Sequence, residues 1–130
     1  MQSINTAAAP RAIGPYSQAI VADNFAANNL VFASGQIPLN PKNGQLVVSD
    51  IKLQTRQVFD NLSAVLAAAE SSFSRVTKLN IFLVDLDHFS QVNEIMSTYF
   101  IEPYPARSCV QVAALPKGAL VEVDAIALGS

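Results

Sequence analysis

The hydrophobic pattern switches between two periods, and the switches mark the elements. Alternation at period two, rich in β-branched and apolar residues, predicts strands at residues 16–21, 30–33, 76–84, 104–112 and 120–126. A helical period of about 3.6 residues takes over twice. After Asp50, the residues Ile51, Thr55, Val58, Phe59, Leu62, Val65, Leu66 and Ala69 recur at three- and four-residue spacing, with Lys52, Gln54, Arg56, Gln57, Asp60 and Asn61 opposite. Ser49 or Asp50 supplies the N-cap. A second helix, capped by Asp85 or Asp87, has Phe89, Val92, Met96, Tyr99 and Phe100 as its buried stripe and must stop before Pro103.

The order is therefore β-β-α-β-α-β-β, without internal repeat or linker, over a single domain spanning residues 1–130. Such an order predicts an α+β fold, one mixed sheet with two helices on one face. Residues 1–11 are small, polar and proline-ended, and predict an irregular arm; residues 23–29 predict a polar connector. The last two strands flank the turn residues 114–118 and are expected to lie close together. Their alternation places Arg107, Cys109 and Gln111 opposite Ser108, Val110 and Val112, and Glu122 and Asp124 opposite Val121, Val123, Ala125 and Ala127. One face of this pair is expected to be apolar, the other to carry an arginine, a thiol and two carboxylates.

Composition adds self-association. Charged residues are 14% of the chain, against roughly 25% in typical soluble domains, while apolar residues reach 51%. A small, weakly charged chain with one bare sheet face is expected to cover that face with copies of itself. The net charge of −2 and the scattered basic residues provide no basic stripe and speak against nucleic acid as a partner. No apolar run is long enough to cross a bilayer, and no leader is visible in the first twenty residues, so the cytoplasm is the expected location and no membrane partner is expected.

The chemistry has few carriers. One cysteine allows no internal disulfide, the single histidine, His88, reads as a first-turn surface residue, and no His/Cys cluster has metal-ligand spacing. No metal site is expected from this spacing. There is no glycine-rich phosphate loop and no nucleophile elbow. Cys109 reads as a small core residue with no link to His88 rather than as a nucleophile. What remains is Arg107, whose planar fork suits a carboxylate, and Glu122. The anion on Arg107 is either Glu122 itself, as a structural pair, or a ligand. Ser34 and Gly35 close the second strand, either as an ordinary strand exit or as donors to an anion. Tyr16 follows the Gly14-Pro15 turn, where an aromatic ring is usually packing.

Four motifs, in order, span nearly the whole chain: 13–19 (Ile-Gly-Pro-Tyr-Ser-Gln-Ala), 33–39 (Ala-Ser-Gly-Gln-Ile-Pro-Leu), 80–86 (Asn-Ile-Phe-Leu-Val-Asp-Leu) and the run from Pro105 to Val123. They resemble the RidA (YjgF) family of reactive-intermediate imine/enamine deaminases. The resemblance implies the chorismate-mutase-like YjgF fold, and a homotrimer with a barrel-like centre and sites in the clefts between chains. It implies cofactor-free hydrolysis of small 2-imino or enamine acids, such as 2-aminoacrylate and 2-iminopropanoate, to 2-oxo acids and ammonia. Carried onto this chain, it implies Arg107 on the substrate carboxylate with Ser34 and the Gly35 amide, and Tyr16 lining the pocket. Glu122 would be the general acid/base, and the Cys109 carbonyl would help place the attacking water. Asn93 would border the site, unless it is only a satisfied surface amide. Two readings compete: a non-catalytic protein that binds small carboxylates for regulation, which would keep Arg107 without needing Glu122, and a ribonuclease or translation inhibitor, which the acidic balance disfavours.

Overall fold

The computed structural model describes residues 1–25 and 28–130. Six strands, β1 (Gln2–Ile4), β2 (Ala19–Phe25), β3 (Asn28–Gln36), β4 (Val76–Leu83), β5 (Ala106–Gln111) and β6 (Val121–Leu128), form one sheet in the order β1-β2-β3-β6-β4-β5. Only β4 and β5 run parallel; the other neighbouring pairs are antiparallel. Two helices, α1 (Ile51–Ala68) and α2 (Phe89–Met96), pack against each other, and α1 packs on β3 and β6. This is the α+β domain that the periodicity predicts.

Helix α1 starts as its sequence dictates. The Asp50 carboxylate accepts the Leu53 N–H at 2.9 Å, satisfying one of the donors a helix start leaves open. It ends in a left-handed residue, Glu70 (φ 58°), with the Glu70 N–H bonded to the Ala67 carbonyl and the Ser71 N–H to the Leu66 carbonyl, a Schellman closure without the usual glycine. Val58, Phe59, Leu62, Val65 and Leu66 have no exposed surface and meet Leu79, Ile81, Leu83, Val121 and Val123 from the sheet. Phe59 also packs its ring against Phe73, Tyr99 and Phe100, 5.3–6.1 Å between centroids. Truncation of such a side chain typically costs about 3–5 kcal/mol.

Several expectations are corrected. The arm at residues 1–11 is not wholly irregular: Gln2–Ile4 adds an edge strand to β2, making six strands rather than five. The connector at 23–29 is largely strand, since β2 continues to Phe25 and β3 begins at Asn28; residues 26 and 27 of that expected connector lie outside the described residues. On α1, Gln54 and Asn61 are buried rather than on the solvent face. Each amide is satisfied there, Gln54 between the Val47 carbonyl and the Leu120 N–H, Asn61 by the Leu39 carbonyl and Gln57. Phe89 leaves the expected stripe of α2 for the surface, and Ile95 occupies the core.

The strand order carries the largest correction. β5 and β6 are not neighbours, because β4 lies between them. Arg107, Cys109 and Gln111 stand opposite Leu79, Ile81 and Leu83, and so face the helices. Glu122 and Asp124 stand opposite Phe82 and Asn80, on the face without helices. The arginine and the glutamate therefore lie on opposite faces of the sheet.

Candidate functional site

Glu122 sits where β3 bulges away from β6, the register breaking between Ala33 and Gln36. The bulge brings the bare backbone of Gly35 under the carboxylate: a Cβ at that position would lie 2.5 Å from Glu122 Oε1. Glycine is required there by space rather than by an unusual torsion. Ser34 precedes it and donates its hydroxyl to the Ser17 carbonyl at 2.6 Å, while its N–H bonds the Gln18 carbonyl. These bonds tie the segment carrying Tyr16 to the strand end.

Gln18, 2% exposed, completes that tie. Its amide donates to the carbonyls of Thr6 and Pro10 at 3.0 and 2.8 Å and accepts the Thr6 N–H. The N-terminal arm is thereby folded into a wall. The result is a hollow of about 410 Å³ bounded by Tyr16, Ser34, Gly35 and Glu122, with apolar walls from Ile13, Ile37, Leu39 and Pro116. Glu122 is partly buried, and burial, followed by the nearby Asp124 charge, raises its pKa above the ordinary glutamate value. A carboxyl of this kind exchanges protons closer to neutrality than a solvated one.

Arg107 occupies a second hollow, of about 250 Å³, with Asn93, Met96, Ser97, Tyr104 and Pro105. Its Nη1 donates to Asn93 Oδ1 at 2.5 Å and lies 3.3 Å from Met96 Sδ, and its guanidinium rests over the Phe89 ring, 5.1 Å from the centroid. These contacts hold one edge of the fork; no carboxylate pairs with it among the described residues. The structural pair with Glu122 is thus excluded within one chain. The guanidinium is also exposed, not half-buried as its neighbours in sequence suggest. Cys109 stands two residues further along the same edge strand; burial pushes its thiol pKa up, with Arg107 pulling weakly the other way.

The chain thus brings Tyr16, Ser34, Gly35 and Glu122 together, and separately Asn93, Arg107 and Cys109. Sequence reasoning missed Gln18, Gln36 and Phe89. Gln18 and Gln36 lie inside the quoted motifs at 13–19 and 33–39, which was the available signal; Phe89 gave none, because an aromatic at helical spacing reads as core. Among the described residues no group of three or more His, Cys, Asp or Glu is placed to hold a metal, and no helix is long and apolar enough to cross a membrane.

Comparison with known proteins is decisive at the family level. Residues 6–129 match the profile of a family described as endoribonuclease L-PSP. The chain is 43% identical to human 2-iminobutanoate/2-iminopropanoate deaminase, over 96% of this chain and 88% of the human one. It is 49% identical to a RutC family protein of Pyrococcus horikoshii, over 95% and 94% of the two chains. Among solved structures it superposes on RidA from the Antarctic bacterium Psychrobacter with a TM-score of 0.90 at 43% identity, covering 98% of each chain.

Proposed function

Since the chain belongs to the endoribonuclease L-PSP family, the RidA/YjgF group whose motifs it carries, we propose that it is a cytoplasmic, cofactor-independent deaminase of small 2-imino and enamine acids. Similarity to proteins named as imine deaminases supports the reaction class. The observation that carries the mechanism is the division of chemistry between two hollows: a partly buried carboxyl with a raised pKa in one, and an arginine fork without an anion in the other. Two copies of the chain complement each other. Glu122, Tyr16, Ser34 and Gly35 of one copy face Arg107, Asn93 and Cys109 of the next, and a homotrimer closes three such clefts. Exposed apolar residues on the helix-free face, Phe32 at 43% and Val110 at 46%, favour this association.

In the cleft, Arg107 takes the substrate carboxylate through two charge-assisted hydrogen bonds, with the Gly35 N–H as a further donor and the Ser34 hydroxyl as another once it turns from the Ser17 carbonyl. An enamine first gains a proton at its terminal carbon to become the iminium ion; an imine reaches the same ion by taking the proton at nitrogen. Glu122 then removes a proton from water as the oxygen attacks the C=N carbon and the C=N electron pair moves onto nitrogen, and the Cys109 carbonyl helps to place that water. Glu122 hands this proton to the amino nitrogen and takes the hydroxyl proton as the C=O forms, while the C–N bond breaks and ammonia leaves.

Ammonia release from 2-aminoacrylate generated in situ tests the reading. Arg107→Ala is expected to lower kcat/KM by the equivalent of about 3–5 kcal/mol, and Glu122→Gln to lower kcat. Co-assembly of the two variants should restore part of the activity, because a mixed oligomer contains some clefts with neither substitution. A wild-type protein that does not accelerate release refutes the deaminase reading. Equal loss without rescue refutes the shared cleft. Loss in Arg107→Ala alone would favour a binding role for Arg107 and refute the acid/base role of Glu122.

A further inference from the structure

The hollow around Glu122 is larger than a three-carbon imino acid needs. Its 410 Å³ corresponds to the liquid volume of about fourteen waters. In the proposed cleft, the substrate carboxylate is held by Arg107 and the reacting carbon lies at Glu122. The remaining volume therefore receives whatever side chain the imino acid carries, and its lining specifies that side chain.

The near walls are apolar, from Ile13, Tyr16, Ile37, Leu39 and Pro116, and suit methylene groups. Further out the lining changes. Arg11 and Lys117 both border the hollow, both are exposed, and neither forms an ion pair or side-chain hydrogen bond with any described residue. Gln36 borders it too. It is 5% exposed, makes no side-chain hydrogen bond with the described residues, and its amide is not sealed from the solvent of the hollow. Two unpaired cations on the rim of an otherwise apolar hollow outweigh the charge of Glu122 and call for an anionic ligand group, to which the Gln36 amide can donate.

Resting on the deaminase reading, we propose that the outer part of the Glu122 hollow is a subsite for a second carboxylate, so that the protein favours 2-imino acids whose side chain ends in an acidic group. In such a molecule one or two methylene groups lie between the reacting carbon and the second carboxylate, and the apolar lining would receive them. Arg11 and Lys117 supply charge at the mouth, and the Gln36 amide supplies a donor within. The chemistry at C=N is unchanged; the subsite acts on binding.

The test compares imines generated in situ by an amino acid oxidase from glutamate and from norvaline, whose five-carbon chain lacks the second charge. Ammonia release is followed with wild type and with the Arg11→Gln/Lys117→Gln double variant. The expected result is a kcat/KM for the glutamate-derived imine about tenfold lower in the double variant, carried by KM, with less than a twofold fall for the norvaline-derived imine. The wild-type preference for the acidic imine should also shrink as salt is added, since exposed charges are screened. A double variant with an unchanged substrate ratio, or with equal loss on both imines, overturns the subsite while leaving the deaminase reading standing. Absence of wild-type turnover on the glutamate-derived imine while 2-aminoacrylate is still turned over overturns the subsite alone; absence on 2-aminoacrylate as well overturns both.

Discussion

Replacement of Gly35 by alanine separates catalysis from stability. The added methyl carbon would lie 2.5 Å from Glu122 Oε1, 2.9 Å from Cδ and 3.2 Å from Cγ. An ordinary non-bonded approach is about 3.5 Å, so the carboxylate must retreat by about 1 Å. All three atoms belong to one flexible side chain, which can move without disturbing the backbone. The torsions of Gly35 lie outside the left-handed region, so alanine is not strained, and its smaller unfolded-state entropy favours folding by about 0.4–1 kcal/mol. The fold should therefore be no less stable than about 1 kcal/mol below wild type. Catalysis should suffer far more, because a group displaced by about 1 Å can lose about 100-fold in rate. The assays are thermal unfolding and ammonia release from 2-aminoacrylate, measured on the same preparation. Wild-type kcat in a folded Gly35→Ala protein would refute the claim that this glycine exists to seat Glu122. Unfolding of the variant would refute the claim that the clash can be relieved locally.

Two further predictions concern the same hollow. Asp124→Asn removes the like charge that adds to burial in raising the Glu122 pKa; the ionised form becomes easier to reach, so the acidic limb of the kcat/KM profile should move to lower pH, and an unmoved or upward-shifted limb would contradict this assignment. Gln18→Leu strands the carbonyls and N–H that the amide now satisfies. It should cost about 1–3 kcal/mol in chemical denaturation and raise KM by loosening the arm wall, and a variant as stable as wild type would show that the arm is held elsewhere.

Much of this was legible in the residues. Helix α1 announced itself by its period and its Asp50 cap, and the core strands by alternation, because these depend on neighbours three or four residues away or fewer. The motif at 13–19 pointed to Tyr16, and that at 33–39 to Ser34 and Gly35. Polar residues were harder: Gln54 and Asn61 read as solvent-facing because sequence shows an amide but not the loop carbonyls that will satisfy it. The arm likewise looked structureless, since three residues of edge strand carry no period of their own and form only against β2.

The family motifs, and Arg107 and Glu122 as candidates for the proposed chemistry, were contained in the chain's own order of residues. Alternation also fixed which side chains share a face within each strand. It could not say which strands would be neighbours, because pairing is settled by contacts distant in sequence. Once β4 took its place between β5 and β6, the strand registers put the guanidinium on the helix side and the carboxylate on the other. That arrangement of a single sheet, invisible to local pattern, separates the two groups within one chain and is the reason the proposed cleft draws on a second copy.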